Sequence, residues 1–237
     1  MALLKYNESM TCGGTLITNR FVLTAAHCVK DQKLTSVVLG EHIRNSVKDC
    51  NRHKNRIVCS DPIEEFNIER VFVHENSKRQ QHDIALIKLA RAVVIKSHIK
   101  PICLPLTNEL QEPESTKSLY VTGWGVTERG RESAELRESY IYKVPRSDCI
   151  AALNNTRGFD MTAIDSNIIC AGDTRGDSCK GDSGGPLSYV TYIQGRQRFV
   201  QCGIVSYGYD SCYRGTPSVY TNVGKYIQWI AEKLVAT

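Results

Sequence analysis

Apolar residues recur along this chain in short runs separated by turn-forming residues. The runs are TCGGTLI, RFVLTAA, SVVLGEH, ERVFVH, DIALIKLA, SLYVTGWG, ESYIYKV, SNIICAG, RFVQCGIVSYG and SVYTNV. Rich in Val, Ile, Thr and Tyr and punctuated by Gly and Pro, they predict many short strands in a sandwich or barrel. The pattern changes at KYIQWIAEKL, near the end. There Ile227, Ile230 and Leu234 fall three and four residues apart, predicting a helix whose apolar face docks on a barrel. The polar stretch TNELQEPESTKS over 107–118 predicts a crossing between two β halves, and no internal repeat is evident.

At 237 residues the chain makes one large domain or two small ones. Either arrangement buries roughly 70–75% of the unfolded chain's surface. A net charge of +5 is mild and spread along the chain, which gives no reason to expect nucleic acid. No segment approaches a membrane span, and MALLK is too short for the apolar region of a signal peptide. The ten cysteines include no CxxC pair, which argues against zinc ribbons and thioredoxin-like sites and for disulfides in an oxidising compartment. Sequons at Asn7 and Asn154 fit a secreted, extracellular glycoprotein. Secretion requires a leader, so the natural N-terminus is expected upstream of Met1.

Candidate chemistry centres on GDSGGP, residues 181–186, where one serine stands in a glycine-rich turn. GDSGG also satisfies the G-x-S-x-G elbow of α/β-hydrolases, but that fold needs its histidine after the serine. All six histidines precede Ser183, so chain order excludes it. Subtilisin order needs an aspartate before its histidine, and the first aspartate, Asp31, follows His27. The order that survives is His27 in TAAHC, Asp83 in HDIALIKL, then Ser183. Taken singly, these are a core histidine, an acidic strand cap and a turn. Together they suit a nucleophilic serine, a general base and a buried carboxylate that orients it. The N–H groups of Gly181 and Ser183 are the expected oxyanion hole.

These motifs, with CGGTLITNRFVLTAAHC, VTGWG, DSCKGDSGGPL, GIVSYG and VYTNVGKYIQWI, resemble the chymotrypsin-class (S1) serine proteases over nearly the whole chain. The resemblance implies an all-β fold of two orthogonal six-stranded antiparallel β-barrels with a C-terminal helix. Their expected bounds are about 1–110 and 116–237, with the site in the cleft between. It places Asp177 at the bottom of the primary specificity pocket and so implies cleavage after Arg or Lys. Ser178, Ser206, Gly208 and Ser218 are the other expected substrate-binding positions. Trypsin-like members usually carry Gly where this chain has Ser218, whose hydroxyl should narrow the pocket and bears on the choice between Arg and Lys. Asp182 is expected to pair with the α-amino group released on activation. That segment is expected about a dozen residues before Met1, so the chain as given is expected to be zymogen-like and weakly active.

The bridges implied are Cys12–Cys28, Cys149–Cys170, Cys179–Cys212 and Cys50–Cys59. Metal ligation by Cys50, His53 and Cys59 is the alternative for the last, though its spacing fits no common zinc pattern. Cys103 resembles the position that links to an upstream light chain, and Cys202 is either a free thiol or its mate. The Cys50–Cys59 insertion, GEH at 40–42 and Cys103 together resemble arthropod clip-domain proteases, which act in extracellular cascades of immunity and patterning. This implies a zymogen as protein substrate, a serpin inhibitor and no required cofactor. It also suggests a structural calcium at Glu41 and Glu64 or Glu65, with a solvated acidic loop as the alternative. Lys48, Arg52, Lys54 and Arg56 are either an exosite for an acidic partner or a solvated loop. A non-catalytic homologue serving as a binding cofactor is the competing function, and an intact His27, Asp83 and Ser183 speak against it.

Overall fold

A computed structural model describes residues 1–7, 12–46, 48–53, 56–111, 118–127, 130–154, 164–172, 178–208 and 216–236, with the backbone alone at 51–53. Asp177, Cys212 and Lys54, and the remainders of both sequons, lie outside them. Asn7 and Asn154 themselves are exposed.

Strands β1 (Ala2–Tyr6), β2 (Cys12–Leu16), β3 (Phe21–Thr24), β4 (Leu34–Leu39), β7 (Glu64–Phe66), β8 (Ile68–Val73) and β9 (Ala85–Leu89) form the first sheet. Its order is β7-β4-β1-β2-β3-β9-β8, so among the described residues it is a seven-stranded half-barrel rather than a closed six-stranded ring. The run behind β9 is apolar without alternation because β3 and β8 flank it and Ala85, Leu86, Ile87 and Leu89 are all fully buried. Strands β5 (Cys50–His53) and β6 (Arg56–Cys59) form a separate hairpin closed by Cys50–Cys59. That bridge excludes metal ligation by these two cysteines.

The second unit is a closed six-stranded barrel, in the order β10-β11-β12-β15-β14-β13. Its strands are β10 (Leu119–Gly123), β11 (Arg137–Lys143), β12 (Ile168–Gly172), β13 (Pro186–Ile193), β14 (Arg196–Tyr207) and β15 (Ser218–Asn222). In β10 burial alternates residue by residue, with Leu119, Val121 and Gly123 inward, as expected of a strand with one wet face. The β13–β14 hairpin turns on Gln194 and Gly195, both at positive φ (51° and 71°), the left-handed pair that a two-residue turn between twisted strands requires. A short helix α1 (Asn108–Gln111) lies in the crossing, and α2 (Arg146–Leu153) is tied to β12 by Cys149–Cys170.

Helix α3 (Ile227–Val235) follows a 3-10 turn at Val223–Tyr226 and docks on the first unit. Trp229 and Ile230 are its buried residues, with Ile227 and Leu234 partly covered. The chain end therefore joins the core of the sheet where the chain began, clamping the two units together. Cys103 and Cys202 are both free thiols: Cys202 faces the second core, while Cys103 is half-buried beside Val200 on β14. The structure thus decides against a Cys103–Cys202 bridge.

Candidate active site

His27 sits in a 3-10 turn, Ala26–Cys28, that leaves β3 with Ala25 and Ala26 packed in the core. Cys28 is bridged to Cys12 of β2, so the backbone on either side of the imidazole is held. Asp83 is 3% exposed and enters from the loop before β9. Its Oδ1 accepts the His27 backbone N–H at 2.9 Å, and its Oδ2 lies 2.8 Å from His27 Nδ1. A carboxylate accepts only, so Nδ1 carries the proton and Nε2 is left as the basic nitrogen. Two groups of the second unit complete the cradle. Ser206 Oγ donates to the same Oδ2, and Thr221 Oγ1 donates to the Asp83 carbonyl at 2.8 Å.

The electrostatics follow from this geometry. Burial disfavours a charged imidazole, yet the adjacent Asp83 charge and hydrogen bond outweigh it and raise the His27 pKa above 6.5. Burial likewise resists ionisation of Asp83, and His27, Ser206 and the His27 N–H together pull its pKa below 3.8. The pair is therefore an ionised carboxylate next to a readily protonated base.

Ser183 lies in the turn between Cys179 and β13. Gly181 (φ 100°) and Gly184 (φ 77°) flank it in the left-handed region that glycine adopts without strain. A Cβ on Gly184 would lie 2.4 Å from the Gly13 carbonyl and 2.2 Å from Thr24 Oγ1, so no other residue fits. The same point lies 3.2 Å from Cys28 Sγ, which sets the serine turn against the disulfide beside His27. Further bonds fix the turn: Gly13 N–H to Ser183 O at 2.7 Å and Gly184 N–H to Val205 O at 2.8 Å. Among the described residues no hydrogen bond joins Ser183 to His27, whose Nε2 is instead 3.7 Å from Cys28 Sγ.

The Lys180 carbonyl accepts from Val126 N–H at 2.8 Å. Because a trans peptide points its C=O and N–H opposite ways, Gly181 N–H faces away from Val126. Among the described residues neither it nor Ser183 N–H is engaged, as two donors awaiting a developing oxyanion should be.

Asp182 does not face His27. It turns inward, where Gly125 N–H reaches Oδ1 at 2.8 Å and Cys179 N–H reaches Oδ2 at 2.9 Å. Burial drives its pKa up to about 6; those two bonds oppose the shift and Glu132 adds to it. The GWG of VTGWG exists to admit it, since a Cβ on Gly123 or Gly125 would sit 2.0 or 2.6 Å from the carboxyl. This role of the two glycines was not read from the sequence.

Beside Ser183 opens a cavity of about 130 Å³, walled by Ser178, Val205, Ser206, Tyr207, Gly208 and Ser218. Tyr220 Oη donates to Ser178 Oγ at 3.0 Å on its inner side. Ser218 Oγ lies 2.7 Å from where a Gly208 Cβ would be, so no side chain fits at Gly208 opposite it. Asp177 lies outside the described residues, as does Cys212; Cys179 is disulfide-bonded. Two larger hollows, of about 650 Å³ beside Cys103 and about 510 Å³ beside Glu41 and Asp49, lie away from the serine turn.

The expected calcium ligands are not brought together. Glu64 is committed to Lys96 (2.8 Å) and Arg91 (3.2 Å), and Glu65 to Lys5 and Ser36. Glu41 is buried and lies near Asp49 instead, whose charge adds to burial in raising its pKa. Cys12, His27 and Cys28 also converge, but both sulfurs are spent in a disulfide and offer no thiolate.

The model of the Trypsin family matches residues 1–230. Among curated proteins, "Serine protease grass" of Drosophila melanogaster is 40% identical over the whole of this chain. "CLIP domain-containing serine protease HP8" of Bombyx mori is 38% identical over 99% of it. The chain spans 64% and 65% of these two proteins. A crystal structure of the Drosophila Grass clip serine protease of the Toll pathway superposes with a TM-score of 0.87 at 39% identity, covering 99% of this chain and 68% of that one.

Proposed function

The chain belongs to the trypsin family, and on that premise we propose that it is a serine endopeptidase that cleaves after Arg or Lys through His27, Asp83 and Ser183. The carrying observation is His27 held by both Asp83 oxygens, its backbone N–H by one and Nδ1 by the other, with Nε2 left over beside a serine turn with two unengaged N–H groups. Ser183 Oγ attacks the scissile carbonyl as its proton passes to His27 Nε2, and the new oxyanion binds Gly181 and Ser183 N–H. The C–N bond then breaks, and Nε2 returns the proton to the departing amine. Water, deprotonated by the same nitrogen, releases the acyl group and restores the serine. Losing one oxyanion donor lowers such rates about 100- to 1000-fold. The substrate side chain enters the cavity beside Ser183, where Asp177 supplies the anion for a cationic residue.

Relatives carry the names "Melanization protease 1" and "Spaetzle-processing enzyme" of Drosophila melanogaster. They support a place in an extracellular cascade in which a protein, itself a zymogen, is the substrate. An upstream chain held at Cys103 and control by a serpin belong to the same reading, with Asp182 as the carboxylate that activation satisfies. The test is a fluorophosphonate label on the activated full-length protein, read with Arg- and Lys-ending chromogenic peptides. We expect modification at Ser183, none in Ser183→Ala, and loss of basic-peptide cleavage in Asp177→Ser with labelling partly kept. Unchanged Arg cleavage in Asp177→Ser would overturn the specificity assignment, and an unlabelled Ser183 the nucleophile.

A further inference from the structure

The residue before the candidate triad carboxylate is strained and held from outside. His82 has φ 48°, a left-handed conformation that costs an L-residue roughly 1–2 kcal/mol. Its ring stacks on His74, with centroids 4.8 Å apart and planes 5° from parallel. Lys78 and Gln81 pair across the turn between them, and His74 N–H donates to the Ile84 carbonyl at 3.2 Å. Tyr226 meets both rings edge-on and its hydroxyl lies 3.0 Å from His82 Nδ1, while Trp229 packs on His74 at 5.3 Å. Asn76 N–H donates to His74 Nδ1 at 3.2 Å, so that nitrogen carries no proton. The serine protease reaction described above uses neither histidine.

We propose that the stacked His74–His82 pair positions Asp83, holding its backbone in place while His74 is neutral and releasing it when His74 takes up a proton. The inference rests on Asp83 being the carboxylate that orients His27. A proton taken up by His74 must go on Nδ1, where it ends the bond from Asn76 and places a charge on a ring stacked 4.8 Å from His82. The surroundings weight the balance. From the same loop comes Glu75, bound to Trp229 Nε1 at 2.9 Å and to Lys233. From α3 comes Lys233 itself, and Lys30 reaches the Ser77 carbonyl at 3.1 Å. Asp83 and Asp165 bear on the Tyr226 phenol, which burial already keeps protonated. Burial of His74, then the facing His82 and Lys233, outweigh Glu75 and depress its pKa below 6.5. A depressed imidazole pKa means the folded loop binds fewer protons than the opened one, so its closure is secure above pH 6.5 and weakens as pH falls below.

His82 and His74 are thus positioning residues, and His74 adds a second proton to the acid side of the activity profile. The experiment is kcat/KM against pH for the activated full-length protein on a basic chromogenic peptide, with active-site titration at each pH. In the wild type the acid limb should steepen below pH 6.5 from about 10-fold to about 100-fold per pH unit. The double variant His74→Phe, His82→Asn keeps an aromatic neighbour and a residue that tolerates the left-handed conformation. It should keep its plateau and return to about 10-fold per unit. A purely structural pair would lower the plateau and leave the slope alone, which would overturn the inference. So would a wild-type limb of one proton throughout, whatever the variant does. Asp83→Asn retaining wild-type activity would instead remove the triad assignment on which the inference stands.

Discussion

Replacing Asp182 by Asn should make the protein more stable at neutral pH and leave it inactive. The carboxyl is 9% exposed and its pKa is raised from 3.8 to about 6. At 1.36 kcal/mol per unit, the ionised form is less favourable in the fold by about 3 kcal/mol. The sign follows from proton binding. Between pH 3.8 and 6 the folded state holds a proton that the unfolded state has released, so stability from this group falls as pH rises through that window. Asn removes the charge and keeps an oxygen for Gly125 N–H, but turns an amide toward Cys179 N–H and forfeits that bond, worth about 1 kcal/mol.

The assay is urea unfolding of wild type and Asp182→Asn at pH 4 and pH 7. The stability difference between the two proteins should shift by about 2 kcal/mol in the variant's favour from the lower pH to the higher, part of the penalty being already present at pH 4. Taking the difference cancels every other titrating group. A difference that stays constant across that range would show the carboxylate to be well solvated or already paired, and would refute the reasoning. Activity supplies the opposite sign: under the proposed role the charge is what activation satisfies, so the more stable variant should give no acyl-enzyme.

Two further outcomes are expected. Ser218→Gly removes a hydroxyl from the lining of the cavity beside Ser183, so kcat/KM for Arg-ending peptides should rise about 10-fold relative to Lys-ending ones, roughly the 1.4 kcal/mol that one small change in such a pocket is worth; an unchanged ratio would show that the hydroxyl does not limit the pocket. Replacing Cys12 and Cys28 together by Ala opens a bridge between residues 16 apart and should cost ~3 kcal/mol in chemical unfolding, with weaker fluorophosphonate labelling because the disulfide also backs His27 and the serine turn.

Much of this was legible in the sequence, for physical reasons. The ten strand runs hold: nine carry at least one buried residue, ERVFVH packs its partly buried Val71, Phe72 and Val73 on the first core, and DIALIKLA is apolar throughout because β9 lies between two neighbours. The strand Pro186–Ile193 went unread because it continues straight out of the serine turn, and its first four residues are buried while the last four are partly or fully exposed, which follows no simple period. Helix α2 offered only Cys149 and Leu153 to the core and carries no side-chain cap, too little signal over eight residues. Pairings between distant side chains were beyond reach. Ser206 was read as part of a substrate-binding strand, and its hydroxyl proves to be bonded to Asp83 from the other unit. Glu64, read as a metal ligand, is held by Arg91 and Lys96, which only the packing of β7 against that loop reveals.

The site depends on the docking of the two units more than on any one element. Asp83 belongs to the first unit, yet Ser206 and Thr221 of the second hold its carboxylate and its carbonyl. Ser183 belongs to the second, yet Gly13 of the first holds its carbonyl. Each such bond contributes about 1 kcal/mol, more where Asp83 is charged, so no single one fixes the alignment. What makes it rigid is that these bonds cross in both directions and are backed by apolar packing, with Trp229 and Ile230 of α3 returning to the first core. Asp182 and the His74–His82 pair then act at the two margins of that seam, one beneath the serine turn and one behind the carboxylate. Under the two readings proposed above, the charges of Asp182 and His74 would govern the reaction from beside the reacting groups rather than among them.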